Sequence, residues 1–105
     1  RYVLTAGAEA DLRGIIRYTR GQWGEAQVRS YVTKLTRCIE RIAAGQVSTK
    51  DIGDLYPALR MSRCQHHYVF CLPRDNQPTL IVAILHERMD LMMRLADRCD
   101  RSAIW

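Results

Sequence analysis

A chain of 105 residues with a formal net charge of +5 is sized for one domain, and we read residues 1–105 as a single folding unit. Apolar residues make up 48% and charged residues 26%, proportions that exclude fibrous and disordered classes. The longest apolar run falls far short of the ~18 residues of a membrane span and no signal peptide opens the chain, so a cytoplasmic protein without membrane contact is expected.

The chain starts at Arg1 without a methionine, so native residues before it are expected to be missing. Residues 2–4 read as a short extended start. Thr5 is a good helix N-cap, and Glu9 and Asp11 suit the positive end of the helix that follows. Ala8, Leu12, Ile15, Ile16, Thr19 and Trp23 fall on one face of that helix. Gly21 and Gly24 bracket a turn. Val28, Tyr31, Val32, Leu35, Cys38, Ile39 and Ile42 then mark the apolar face of a second helix, which Gly45 ends. Two amphipathic helices joined by so tight a turn predict an antiparallel hairpin. Trp23 and Tyr31, lying on the apolar stripes, are expected in the core.

Residues 46–57 read as a polar loop. After it the period changes to two. Residues 59–64 alternate, "HHYVFCL" (66–72) is aromatic and β-branched, "PRDNQP" (73–78) is a turn, and "TLIVAILH" (79–86) is a third strand. Leu91, Leu95 and Cys99 mark a short closing helix, and Ile104 and Trp105 end the chain as exposed-looking apolar residues. The predicted order is β-α-α-β-β-β-α. This is an α+β domain with a helical hairpin packed on a small antiparallel sheet. The apolar run 80–85 is hydrophobic on both faces, where a sheet covered on one side should alternate. An exposed apolar patch including Leu80 and Val82 is therefore expected, and such a patch usually marks a partner site.

The basic residues comprise 14 arginines and 2 lysines. Arginine's planar fork suits carboxylate and phosphate contacts, and the charge fits an acidic protein as well as a nucleic acid. The four cysteines show no CxxC pair and read as small core hydrophobes in a reducing compartment. "CQHH" matches no standard zinc spacing, and neither metal nor cofactor is expected. The strand 79–86 delivers His86, Glu87, Arg88 and Asp90 to one edge. His86 reads as a strand-end histidine bonded to the loop, and Asp90 as the N-cap of the closing helix.

Four segments together resemble the ParE-type toxins of the RelE/ParE toxin–antitoxin superfamily. "LTAGAEADLRGIIRYT" is similar to the family's L-T-x-x-A-x-x-D-L-x-x-I opening. "WG" sits at its helix–helix turn, "ALRMSRCQHHYVFC" resembles its arginine-bearing strand, and "AILHERMD" resembles its I-L-H-x-R-x-D ending. The resemblance implies the toxin of a type II system, a non-enzymatic inhibitor of DNA gyrase, neutralised by a small acidic, partly disordered antitoxin. Higher-order toxin–antitoxin complexes are compatible with it. The alternative is the RelE branch, ribosome-dependent messenger-RNA endoribonucleases. There Arg60 and Arg88 would fall at or near catalytic arginines, but the expected tyrosine falls at Arg94 and the usual lysines are missing. The candidates for toxicity and target binding are Arg60, Arg63, His86, Arg88, Asp90 and Arg94, with no catalytic set among them. The candidates for antitoxin binding are Arg29, Arg37, Arg41, Leu80 and Val82, where exposed hydrocarbon beside arginines would suit an acidic amphipathic helix.

Overall fold

The computed structural model describes residues 1–100, so the expectation for Ile104 and Trp105 concerns residues outside those described. The elements run β1 (Tyr2–Leu4), α1 (Ala6–Trp23), α2 (Glu25–Ala43), β2 (Lys50–Asp51), β3 (Arg60–Cys64), β4 (His67–Leu72), β5 (Thr79–His86) and α3 (Leu91–Asp100). This is the expected α+β order with one extra short strand, β2, inside the stretch read as loop. The sheet order is β1-β5-β4-β3-β2. The sheet is mixed rather than purely antiparallel, because β1 pairs with β5 in parallel, Val3 opposite Leu80.

Thr5 caps α1 as its sequence predicts. Its hydroxyl accepts from the Ala8 N–H at 3.1 Å and donates to the Val82 carbonyl at 3.2 Å, so one side chain starts the helix and ties it to β5. A single residue, Gly24, links the helices. Its φ of +88° lies in the region that glycine enters without steric cost. The hairpin buries Ala8, Ile15, Leu35, Ile39 and Ile42 against Cys64, Val69, Cys71, Ile81 and Ile84. Trp23 departs from expectation, being 66% exposed. Eight residues past Ile15 it has rotated about 80° away from that residue's direction, at the very end of the helix.

The doubly apolar strand is explained by a second core. On the other face Leu59, Phe70, Val82, Ala83, Leu85 and Leu95 are buried together, with Ile52, Leu55, Tyr56 and Leu91 packed around them. The segment between β2 and β3 folds back over the sheet, held by the Ile52 N–H donating to the Leu59 carbonyl at 3.0 Å. That segment and α3 cover what the hairpin leaves. The expected exposed patch is therefore absent at Leu80 and Val82, which are 1% and 0% exposed.

A bulge sets which residue enters which core. Phe70 pairs with Ala83 and Cys71 with Ile81, so Val82 is an extra residue on β5. The alternation resets there: Ile81 and Ile84 face the hairpin, whereas Val82, Ala83 and Leu85 face α3. β1 reaches only as far as Ile81. Beyond it the free edge of β5 is satisfied by side chains. The Asp11 carboxylate accepts from the Ile84 N–H at 2.9 Å, and Arg98 donates to the Val82 carbonyl at 2.9 Å. Arg98 also forms a two-point pair with Asp11, both bonds at 3.0 Å, so α1, β5 and α3 meet at one ion pair. Gly7 makes room for it, since a Cβ there would lie 2.7 Å from the guanidinium.

The cysteines need a correction. Cys38 on α2 and Cys64 at the end of β3 form a disulfide, with Cα atoms 5.9 Å apart, while Cys71 and Cys99 are free. An apolar position on a helix and another on a strand gave no sign that the two sulfurs meet across the hairpin–sheet interface.

Candidate functional site

The β3–β4–β5 meander gathers ionisable groups at one end. His67 opens β4 and pairs with His86, which closes β5. The two rings lie edge to face, their centroids 5.1 Å apart. From α2, the Tyr31 hydroxyl lies 2.6 Å from His67 Nδ1 and accepts the His66 N–H at 3.1 Å. The tautomer of His67 that carries its proton on Nε2 lets Nδ1 accept the hydroxyl's own proton. Burial first, then repulsion from His86 and His66, pushes the His67 pKa down to about 4. Burial also raises Tyr31 above the ordinary phenol value.

Glu87 is the acidic hub. Its carboxylate lies 2.5 Å from an Arg63 nitrogen and 3.1 Å from His66 Nδ1. The His66 hydrogen bond chiefly, and the Arg63 charge, hold Glu87 below the usual carboxylate range. Beyond it, His86 Nδ1 accepts the Arg88 N–H at 3.1 Å, which is the strand-end role its sequence suggests. Asp90 caps α3, its Oδ1 accepting the Met93 N–H at 3.3 Å.

The structure sorts the arginines. Arg63 joins this cluster. Arg60 sits at the other end of β3, about 10 Å from Arg63 along the strand, and binds the Thr49 hydroxyl at 2.5 Å and carbonyl at 2.7 Å. Arg88 and Arg94 are exposed, and their guanidinium groups meet no partner among the described residues. Arg60, His86 and Arg88 are thus not drawn around one centre. The imidazoles of His67 and His86 are held in structural hydrogen bonds, and His66 pairs with Glu87. Among the described residues no group of three or more histidine, cysteine, aspartate or glutamate side chains is arranged to hold a metal ion. Tyr31, His66, His67 and Glu87 were not among the sequence candidates. The signal that finds them is the pairing of two strand ends, His67 with His86.

Beside the cluster a concavity of about 380 Å³ opens between α2 and β3, lined by Lys34, Arg37, Arg41, Arg63, Val47, Ser62, Gln65 and the Cys38–Cys64 pair. Among the described residues no acidic side chain lines it. Lys34, Arg37 and Arg41 recur along one face of α2, are exposed, and have no ion-pair partner among the described residues. Arg29, also exposed, lies 3.9 Å from Glu25. Arg37 and Arg41 therefore line a basic groove, whereas Leu80 and Val82 are buried, Val82 in the core on the sheet face away from the hairpin.

Comparison with known proteins agrees with these features. The family described as "ParE toxin of type II toxin-antitoxin system, parDE" matches residues 2–91. A protein of Escherichia coli, "Toxin ParE", is 70% identical over 97 residues, covering 92% of this chain and 94% of its own length. "Toxin ParE1" of Mycobacterium tuberculosis is 30% identical over 91 residues, covering 87% of this chain and 93% of its own length.

Proposed function

The chain belongs to the ParE family and is the toxin component of a type II toxin–antitoxin system, and from that premise we propose that it acts by binding DNA gyrase and trapping its cleaved-DNA state, without bond-breaking chemistry of its own. The observation that carries this reading is how the polar groups are arranged. The imidazoles are held by structural hydrogen bonds and Arg60 is apart from them, while Arg88 and Arg94 project from the turn before α3 and from α3 itself, their guanidinium groups meeting no partner among the described residues. Such an arrangement offers contact to a partner rather than a base, an acid and a clamp around one phosphate. Arg63, His86, Arg88, Asp90 and Arg94 make up the proposed target-facing end, with His86 and Asp90 shaping the turn. Arg60 supports the β2–β3 edge.

The partner that neutralises it is the cognate antitoxin. We assign the antitoxin's acidic segment to the basic groove and hairpin surface around Arg29, Arg37 and Arg41. An acidic, partly disordered chain gains charge complementarity there as it orders. Leu80 and Val82 are withdrawn as contacts because they are buried. Action on gyrase places the toxin in the cytoplasm.

Purified toxin with gyrase, ATP and relaxed plasmid tests the target. The expected result is loss of supercoiling with accumulation of cleaved DNA, both reversed by added antitoxin. Unchanged supercoiling at large molar excess removes gyrase as the target. New cleavage ends within codons of cellular messages would move the toxin to the ribonuclease branch.

A further inference from the structure

The Cys38–Cys64 disulfide forms part of the wall of the basic groove, beside Lys34, Arg37, Arg41 and Arg63. A disulfide surrounded by cations, with no carboxylate among the described residues lining the groove, is placed to meet an anionic nucleophile. We propose that this disulfide is a thiol-exchange site for small anionic thiols, the class represented by glutathione.

Position decides which sulfur reacts. Cys64 is 1% exposed, whereas Cys38 is only partly buried. The incoming thiolate attacks Cys38 Sγ along the S–S axis, and its electron pair forms the new S–S bond. The Cys38–Cys64 bond breaks, its pair leaves on Cys64 Sγ, and Cys64 takes up one proton from solvent. One protein disulfide becomes one mixed disulfide and one thiol, with no oxidant consumed. The four cations attract the anionic thiol and stabilise charge as the sulfur departs. The remaining cysteines do not compete. A reduced thiol forms a mixed disulfide only with an existing disulfide, and Cys71 and Cys99 are free thiols. Cys71 is moreover buried, which pushes its thiol up to about 11. An adduct on Cys38 stands in the groove assigned above to the antitoxin. That consequence rests on the antitoxin reading, whereas the exchange itself does not.

The test uses the oxidised full chain, incubated with reduced glutathione or with the cationic thiol cysteamine, acid-quenched, and followed by intact mass and peptide mapping. Each rate is normalised to the same thiol's rate with hydroxyethyl disulfide, a neutral reference. The expected result is one glutathione adduct, mapped to Cys38. It forms roughly tenfold faster than the cysteamine adduct at low ionic strength. High salt, or Arg37→Glu with Arg41→Glu, brings that ratio towards one. The proposal is overturned by four free thiols in the oxidised preparation, by no adduct, or by an adduct elsewhere. A rate ratio indifferent to salt and to charge reversal overturns it as well.

Discussion

At the scale of single residues, two side chains hold parts of the fold that the backbone leaves unfinished. Asp11 accepts the Ile84 N–H and two Arg98 bonds. Asp11→Ala leaves that N–H and the guanidinium without their acceptor, and we expect a loss of about 2–3 kcal/mol in denaturant unfolding, the low end for a partly buried pair. A loss under 0.5 kcal/mol would show the pair to be incidental. His67 governs acid stability. Its folded pKa of about 4 lies below the ordinary 6.5, so below pH 6.5 the unfolded chain takes up a proton that the folded chain resists. Stability is therefore full above pH 6.5 and declines as pH falls towards 4, by at most about 3 kcal/mol. His67→Asn keeps an acceptor for the Tyr31 hydroxyl and removes the titration. Its stability between pH 7 and 4.5 should fall less than that of the parent, and equal slopes would assign the acid loss to other groups.

At the scale of elements, the disulfide and the hairpin tip make opposite predictions. Cys38 and Cys64 are 26 residues apart in sequence. Closing a loop of that length removes unfolded-state entropy equivalent to about 3.5 kcal/mol. Replacing both cysteines by serine, or reducing the bond, should lower stability by roughly 2–4 kcal/mol in chemical denaturation. Trp23, exposed at the end of α1, should tolerate alanine within about 0.5 kcal/mol, and a thermal melt reads the difference. These elements also mark the limit of what sequence pattern conveys. Helical periodicity located α1 and α2, Thr5 capped as its type dictates, alternation found β3, and aromatic, β-branched and apolar runs around a turn found β4 and β5. Three features needed the third dimension. The segment between β2 and β3, together with α3, covers the second face of the sheet, so an apolar run that looked like an exposed patch is buried on both sides. The Cys38–Cys64 contact joins elements that no local pattern relates. The short β2 lay in a stretch whose composition reads as loop, its pairing with β3 fixed by packing of Ile52, Leu55 and Tyr56 over the sheet. For the site, His86 and Asp90 were legible because a strand end and a helix cap are local. Glu87 was placed at the strand end by its sequence, but its contacts with Arg63 and His66 needed the strand pairing, and Tyr31 was missed because it meets His66 and His67 only when α2 crosses the meander.

At the scale of the whole molecule, the sheet carries a core on each face, and the surface left to partners combines charge with exposed apolar side chains such as Met92 and Met93. The net charge of +5 is what remains after every carboxylate is counted, and some cations pair with those carboxylates internally, Arg98 with Asp11 and Arg63 with Glu87. Lys34, Arg37 and Arg41 keep their charge unpaired among the described residues, on one helix face beside the groove. Unpaired surface cations contribute little to folding, so Arg37→Glu with Arg41→Glu should leave stability within about 0.5 kcal/mol of the parent. Their effect on association should be larger, because they face the partner's carboxylates and charge reversal converts attraction into repulsion. At low salt we expect the antitoxin Kd to rise by ten- to a hundredfold, mainly through slower association. At high salt, where the Debye length shrinks to about 3 Å at 1 M, the variant and the parent should converge. Stopped-flow association and calorimetry across a salt series read both quantities. Normal antitoxin affinity in this variant at every salt concentration would move the antitoxin off the groove. An equal loss in a gyrase assay with no antitoxin present would instead make the same face serve the target.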